Sequence, residues 1–399
     1  MYPFFQWLSR SAKRSPVAET KQANAGLVAF HSAGTATWSD LGGDGYARNG
    51  FCRNPVVYRC VRMISEAAAS LPMQVQEGRI QSDEHPALEL LARPNERQSG
   101  PQLMDALYGH LLISGNAYLH RIRIDDEDRE LHVLDPARTS AVLDDHGWPV
   151  AYEYRFGSRQ HRYDATGPAA EVLHLSLFNP VGEVNGLSPL APAHMALDIH
   201  NAASVWNKAL LDNSARPSGA LVYAASSGDN LTEEQFDRLK SELEDGYTGA
   251  TRAGRPMLLE GGLDWKAMGF SPRDMDFLQA KNGAAREIAL AFGVPPMLLG
   301  IPGDNTYSNY QEANRAFWRQ TVLPLATRIV CEIGNWVSPP VRDAFSLAIN
   351  TDHVEALAPD REALWARIGA ADFLTEDEKR EALGFTRFDD ETGRGDCDV

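Results

Sequence analysis

The stretch from Ser271 to Trp336 constrains the chain most, because it reads as a helix, a Pro/Gly/Asn-rich loop and a longer helix in direct succession. Ser271-Pro272-Arg273-Asp274 has the pattern of a helix start: a hydroxyl cap, proline at the first helical position and a carboxylate three residues on. Met275, Leu278, Ala285, Ile288 and Phe292 then recur at helical spacing. Gly293 suits a left-handed C-terminal stop, and Pro295-Pro296 cannot continue the helix because proline has no amide hydrogen. Ile301-Pro302-Gly303-Asp304-Asn305-Thr306-Tyr307 carries no apolar period, and Ser308 with Gln311 makes a second capping box. Phe317, Thr321, Leu325, Ile329, Ile333 and Trp336 lie close to one stripe of the next helix. Pro324 sits inside it, and its ring crowds the preceding carbonyl, which predicts a kink there rather than an end.

Upstream, residues 1 to about 50 are rich in Ser, Ala, Gly and Thr and read as a partly ordered arm, with Gly42-Gly43-Asp44-Gly45 near its end. Its aromatics Phe4, Phe5 and Trp7 either dock on a neighbouring surface or form a local cluster. Asn54-Pro55 opens a helix in which Val57, Cys60, Val61, Ile64, Ala68 and Leu71 keep helical spacing, and Pro72 ends it. Met73 to Gln76 alternates as a strand does. A short helix runs from His85 to Arg93, and another begins at Gly100-Pro101 with Leu103, Leu107, Leu111 and Leu112 facing a core. Strands are predicted at Ala117–Arg123, Leu131–Leu134, Ser140–Leu143, Ala151–Phe156 and Val172–Leu177. Helices with short-linked strands make an α+β class.

Ser188-Pro189 begins a helix of roughly 25 residues, about 40 Å long, with Met195, Ile199, Ala202, Trp206 and Leu210 along one side. A segment of roughly 50 residues follows, small for an independent core. It contains strand Gly219–Tyr223, a capped helix from Thr232 with Gln235 and the apolar trio Phe236, Leu239 and Leu243, and strands Pro256–Glu260 and Leu263–Phe270. After the proline-bearing helix come strand Phe345–Ile349, helices Pro359–Ile368 and Thr375–Leu383, and an acidic tail from Asp389.

Chemistry is scarce. The chain has no Gly-x4-Gly-Lys-Ser/Thr loop, no Gly-x-Ser-x-Gly elbow and no His-Glu-x-x-His, so the common nucleotide-binding and hydrolase motifs are absent. Asp125-Asp126-Glu127-Asp128 fits a divalent cation or, more simply, a solvated hairpin tip. His194 and Asp198 stand one helical turn apart without a third ligand. Trp206 and Trp265 suit base stacking or, as periodic aromatics, core and interface. Arg394-Gly395-Asp396 is a chance match to an adhesion tripeptide. Cys52, Cys60, Cys331 and Cys397 are too scattered for a disulfide framework and read as reduced thiols. No apolar run reaches about 18 residues, and the early apolar segment precedes Arg10, Lys13 and Arg14, the wrong order for a secretory signal. A net charge of −16 argues against a basic DNA-gripping protein. It is compatible with an acidic conduit that repels phosphates, and equally with an ordinary acidic soluble protein.

The run REIALAFGVPPMLLGIPGDNTYSNYQEANRAFWRQTVLP, Arg286 to Pro324, resembles the portal proteins of tailed phages with the Hong Kong-type capsid. The resemblance continues through Asn54 to Pro72, His85 to Arg121 and Asn185 to Leu221, and covers roughly residues 51 to 340. It implies a portal-protein fold with an α/β wing, a long-helix stem, a small strand–helix–strand clip and a helical crown. On that plan residues 1–50 are the arm, 51–186 the first part of the wing, 187–218 the first stem helix and 219–270 the clip. Residues 271–294 are then the second stem helix, 295–309 the tunnel loop, 310–352 the kinked wing helix and strand, and 353–399 the crown and acidic tail.

The resemblance further implies a non-enzymatic ring of twelve copies at one capsid vertex of a virion or virus-like particle, assembled in the bacterial cytoplasm. Double-stranded DNA would pass through it non-specifically during packaging and ejection. Pro302, Gly303, Asp304, Asn305, Thr306, Tyr307, Ser308 and Asn309 would border the channel. Leu221, Tyr223, Phe236, Leu239, Leu243 and Trp265 would form the clip that meets the large terminase subunit and later a head–tail adaptor. The major capsid protein or scaffold would surround the wing. No cofactor, metal, catalytic residue or membrane is implied, and the particle is a phage, a prophage remnant or a gene transfer agent. Two rivals remain at this level: a capsid-associated adaptor without a channel, and a hydrolase using the scattered His and Asp residues.

Overall fold

Asn54 sets the first long helix in place. Its side chain accepts hydrogen bonds from Val56 N (3.0 Å) and Val57 N (3.2 Å), two of the amides that a helix start leaves unpaired, and Pro55 follows. Helix α1 (Pro55–Ala69) buries Val57, Cys60, Val61, Ile64 and Ala68, the stripe predicted by spacing. The computed structural model describes residues 43–77, 80–82, 84–125, 127–167, 170–182, 184–212, 219–223, 232, 234–235, 237–238, 241, 263–267, 277–303, 307–337 and 345–383.

Strands β1 (Met73–Glu77) and β2 (Ile80–Ser82) follow, then α2 (Pro86–Ala92) and α3 (Gly100–Ser114). β3 (Asn116–Ile124) and β4 (Glu127–Leu134) form a hairpin, and β5 (Thr139–Leu143), β6 (Pro149–Phe156) and β7 (Arg159–Asp164) form a meander. β8 (Val172–Ser176) returns to pair antiparallel with β3, giving the order β4-β3-β8. Helix α4 (His194–Asp212), strands β9 (Gly219–Tyr223) and β10 (Leu263–Ala267), and helices α5 (Phe277–Ala291), α6 (Tyr307–Phe317) and α7 (Leu323–Val337) come next. β11 (Ser346–Ile349), α8 (Ala358–Gly369) and α9 (Glu376–Ala382) complete the order. The mixture is α+β.

One large core joins these pieces. Ile64 of α1, Leu107 of α3, Leu119 of β3, Leu197 of α4, Ile288 of α5 and Ile329 of α7 all belong to it and are fully buried. β11 pairs antiparallel with β1, Met73 opposite Ile349, so an early and a late strand share one sheet.

Four expectations change. Gly43–Gly45 and Tyr46–Phe51, at the end of the arm expected to be partly ordered, are helical turns that the sequence does not predict, with Tyr46 buried in the core. The helix expected from Ser188 begins at His194, because Pro192 disfavours helical geometry at Ala191 and offers no amide. Ser188 instead donates to Ile113 O (2.7 Å) and accepts from Leu190 N (3.1 Å), pinning the segment before α4 to the end of α3. β7 carries little apolar signal because most of its residues are exposed, which an edge strand permits. The acidic run at Asp125–Asp128 does turn a hairpin, with Asp125 at φ +55, but Asp128 is not solvated there. It pairs with Arg121 (3.2 Å) and Arg123 (3.3 Å).

The capping boxes are mixed. Thr375 with Glu378 forms as expected, and Thr232 N donates to Gln235 Oε1 (3.0 Å). α6 starts at Tyr307, one residue before the Ser308 expected to cap it. Phe236, Leu239, Leu243, strand Pro256–Glu260, Cys397, the Arg394–Asp396 tripeptide and the acidic tail lie outside the described residues.

Two histidines of the β3 sheet are held neutral. His174 Nε2 lies 3.0 Å from Asn116 Oδ1 and its ring stacks on Tyr118, and burial pushes its pKa down to about 4. His120, opposite His132 in the hairpin register, is pushed down to about 4 by burial and then by His132. Both bind a proton more weakly when folded than when unfolded. Their contribution to stability is therefore full above the ordinary histidine value and is lost as pH falls from there toward 4. The urea midpoint should drop between about pH 6.5 and 5, before most carboxylates titrate, and less steeply in His174→Gln. A midpoint that is flat across that window contradicts the assignment.

Candidate functional site

The helix–loop–helix is built as two helices fixed to each other at the point where the loop leaves. α5 ends with Gly293 N donating to Leu290 O (3.0 Å) and Val294 N to Ala289 O (2.9 Å), a Schellman stop with Gly293 at φ +66. Thr321 Oγ1, from the second helical segment, donates to Gly293 O (2.6 Å). A Cβ on Gly293 would sit 2.8 Å from that hydroxyl. Gly293→Ala thus combines left-handed strain with an overlap, and should destabilise the protein by about 1–3 kcal/mol in thermal or urea unfolding. An unchanged midpoint would mean that this turn is not held as described.

The second helix is irregular where the proline predicts a kink. Trp318–Val322 is a π-helical turn between α6 and α7, with Leu323 N bonded to Trp318 O. The carbonyl that Pro324 would leave unpaired, that of Gln320, falls inside this turn, so the distortion precedes the proline. Helix α7 then buries Ala326, Ile329, Val330 and Ile333.

Between the helices, Pro295-Pro296 leads into a 3-10 turn, Pro296–Leu299, and Gly300 reverses the chain at φ +71. Ile301 is buried, whereas Pro302 and Gly303 are exposed. Asp304, Asn305 and Thr306 lie outside the described residues, and Tyr307, Ser308 and Asn309 form the first turn of α6. The loop itself holds no basic residue, but the fold brings one to it: Arg286 of α5 donates to the Pro302 carbonyl. Nothing within the loop's own sequence signals that contact.

α4 packs against α5 and the core through Ala196, Leu197, His200 and Ala203. Of the stripe expected along one side, Met195, Ile199 and Ala202 point outward and Trp206 is half-buried, while the Leu210 side chain lies outside what is described; Val205 beside the stripe is 69% exposed. On α5, Ala285, Ile288 and Phe292 are buried as expected, but Leu278 and Leu290 are exposed. Asn54 Nδ2 donates to His200 Nδ1 (3.0 Å) and Asn201 Oδ1 (3.0 Å), locking α4 to the start of α1, and burial lowers the His200 pKa. β9 and β10 pair antiparallel, placing Leu221 opposite Trp265 and Tyr223 opposite Leu263.

The weaker chemical candidates resolve as structure. His194 Nε2 lies 3.5 Å from Asp198 Oδ2, and among the described residues no cluster of three or more His, Cys, Asp or Glu could hold a metal. Burial pushes the Cys60 thiol up to about 12, keeping it protonated and inert, while Cys52 and Cys331 are exposed. No helix among the described residues is long and apolar enough to cross a membrane.

The portal protein of Enterobacteria phage HK97 is 30% identical over 295 residues, spanning 71% of this chain and 66% of that one. A chain in the neck of an empty gene transfer agent (GTA) particle computed with C6 symmetry is 51% identical, with a TM-score of 0.71 over 89% of this chain and 96% of that one. In the neck of the native GTA particle computed with C12 symmetry, the matching chain is 50% identical, with a TM-score of 0.68 over 89% and 97%. The model of the phage portal protein family matches residues 55–384, every described element from α1 to α9 included, and the chain belongs to that family.

Proposed function

We propose that this protein is the portal subunit of a DNA-containing particle, forming a ring of twelve copies whose axial channel passes double-stranded DNA. The observation that carries the reading is the likeness, over 89% of the chain, to a chain of a GTA neck computed with C12 symmetry. As a portal it is a structural component and not an enzyme. The exposed apolar residues Met195, Ile199 and Val205 of α4, with Leu278 and Leu290 on α5, support the ring: helices that expose apolar faces need neighbours. α4 and α5 then serve as the stem. The β9–β10 pair and the residues between serve as the clip, where the large terminase subunit and later a head–tail adaptor attach. Residues 51–186 and 310–352 serve as the wing, against capsid protein or scaffold, and 353–399 as the crown and tail.

The loop at 302–309 borders the narrowest part of the channel on this reading. Duplex DNA carries about one charge per 1.7 Å of axis, so added Arg repeated around a ring grips it. Asp304→Arg combined with Asn305→Arg should leave ring assembly intact while impairing DNA filling or tail-side release. Particles with this double substitution that fill and release normally would show that the loop does not face DNA.

A further inference from the structure

After β8 the backbone is braced at the C-terminal end of α3 while two apolar side chains stand in solvent. Leu177 N donates to Gly115 O (2.8 Å), and Gly186 N donates to Asn116 Oδ1 (2.7 Å). A Cβ on Gly186 would lie 2.0 Å from Gly115 O, a backbone atom that cannot give way, so glycine is required there. Asn179 Nδ2 donates to Asn185 O (2.8 Å), and Asn179 Oδ1 accepts from Val181 N (3.1 Å). Phe178 and Val181 are nevertheless 81% and 92% exposed. Apolar side chains on a braced backbone lose little freedom on docking, which suits them to enter a partner's groove. The same chain carries such a groove. A cavity of about 440 Å³ opens between the end of α1, helix α2 and the start of α3, lined by Leu71, Leu88, Leu91, Pro101 and Met104, with Glu84 and Glu89 beside them. Helix α3 has 15 residues, so the groove and the brace lie about 20 Å apart along it. Phe178 directly follows the pinned Leu177, so a copy cannot fill its own groove.

We propose that Phe178 and Val181 of one copy insert into the α1–α3 groove of the next copy, forming part of the contact that closes the ring. This rests on the ring reading. A closed ring needs a heterologous contact, in which two different surfaces of each subunit meet, and these two lie at opposite ends of one helix. Charge favours the same pairing. The chain carries a net charge of −16, so copies repel one another, whereas Phe178 to Gly182 holds no charged residue and meets Glu84 and Glu89 without a like-charge contact.

The test uses the full-length chain. Phe178→Cys and Glu89→Cys chains, each with Cys52, Cys331 and Cys397 replaced by Ser, are co-expressed and treated with a short bis-maleimide. One chain of each kind should become linked, and neither variant expressed alone should link to itself. Separately, Phe178→Ser combined with Val181→Ser should raise the concentration needed for ring assembly about tenfold. The dissociated subunit should unfold as the wild type does, because both side chains are exposed. Rings of the double Ser variant that form at the wild-type concentration overturn the insertion and leave the ring reading standing. So do rings of the mixed chains that give no link. A link within Phe178→Cys alone also overturns it, since that contact is two-fold. Wild-type protein that forms no ring overturns the ring reading and the insertion with it.

Discussion

Replacing Arg121 by methionine should cost about 3–5 kcal/mol of folding stability, the range for breaking a buried charge pair by removing one member. The Arg121 side chain is 4% exposed. Its Nε donates to Ala170 O (2.9 Å), and its Nη1 reaches Asp128 Oδ2 (3.2 Å) and Trp336 O (3.1 Å). The guanidinium also lies over the Trp336 ring, 4.6 Å from its centroid, and Trp336 Nε1 donates to Ala170 O (3.0 Å). One side chain thus ties the β3–β4 hairpin to the approach to β8 and to the last turn of α7. Burial lowers the Arg121 pKa and the Asp128 carboxylate opposes that shift, so the group stays charged. Methionine fills much of the volume but leaves Asp128 with Arg123 alone and removes a donor from two carbonyls. Arg121→Lys should fall between, since one ammonium cannot match the three acceptors. Adding Asp128→Asn to Arg121→Met should recover part of the loss, because the stranded charge is then gone. Urea unfolding followed by tryptophan fluorescence reads all three. A loss under 1 kcal/mol in Arg121→Met would mean that the network is not closed as described.

Ile64→Ala should cost about 2–5 kcal/mol, the range for truncating a large core aliphatic. Ile64 is fully buried on α1, one turn beyond Cys60 and Val61, in the core shared with α3, α4 and α7. The surrounding helices come from distant parts of the chain and cannot all move in to fill the space. Because destabilised subunits are withdrawn before they assemble, the yield of rings should fall with the unfolding midpoint. An unchanged midpoint would place Ile64 outside the core and shift the register of α1.

The parts of the fold written locally were legible. Asn54-Pro55, the α1 stripe, Thr375 with Glu378 and the stop at Gly293 depend on residues within one or two helical turns of each other, and each forms. Long-range partnerships were not. Arg121 looks like any alternating strand residue until Ala170 and Trp336, 49 and 215 positions away, are brought to it. Helical period revealed a stripe on α4 but not its direction, because Ala196, Leu197 and Ala203 make the opposite face apolar too. Pro324 announced a distortion, yet where the backbone absorbs it depends on the packing of Thr321 against Gly293. For the loop, the small polar residues could be read off directly, while the cation at its base could not, because Arg286 reaches it only through the turn at Gly293 and Gly300.

The central claim is that copies of this chain close into a ring around a channel, as a heterologous contact repeated about one axis does. Electron microscopy of the purified full-length protein tests it most directly. The account predicts closed rings with a central hole and twelve-fold end views. A folded monomer or small oligomer without a hole, persisting at high protein concentration, would contradict it and favour an adaptor that lacks a channel.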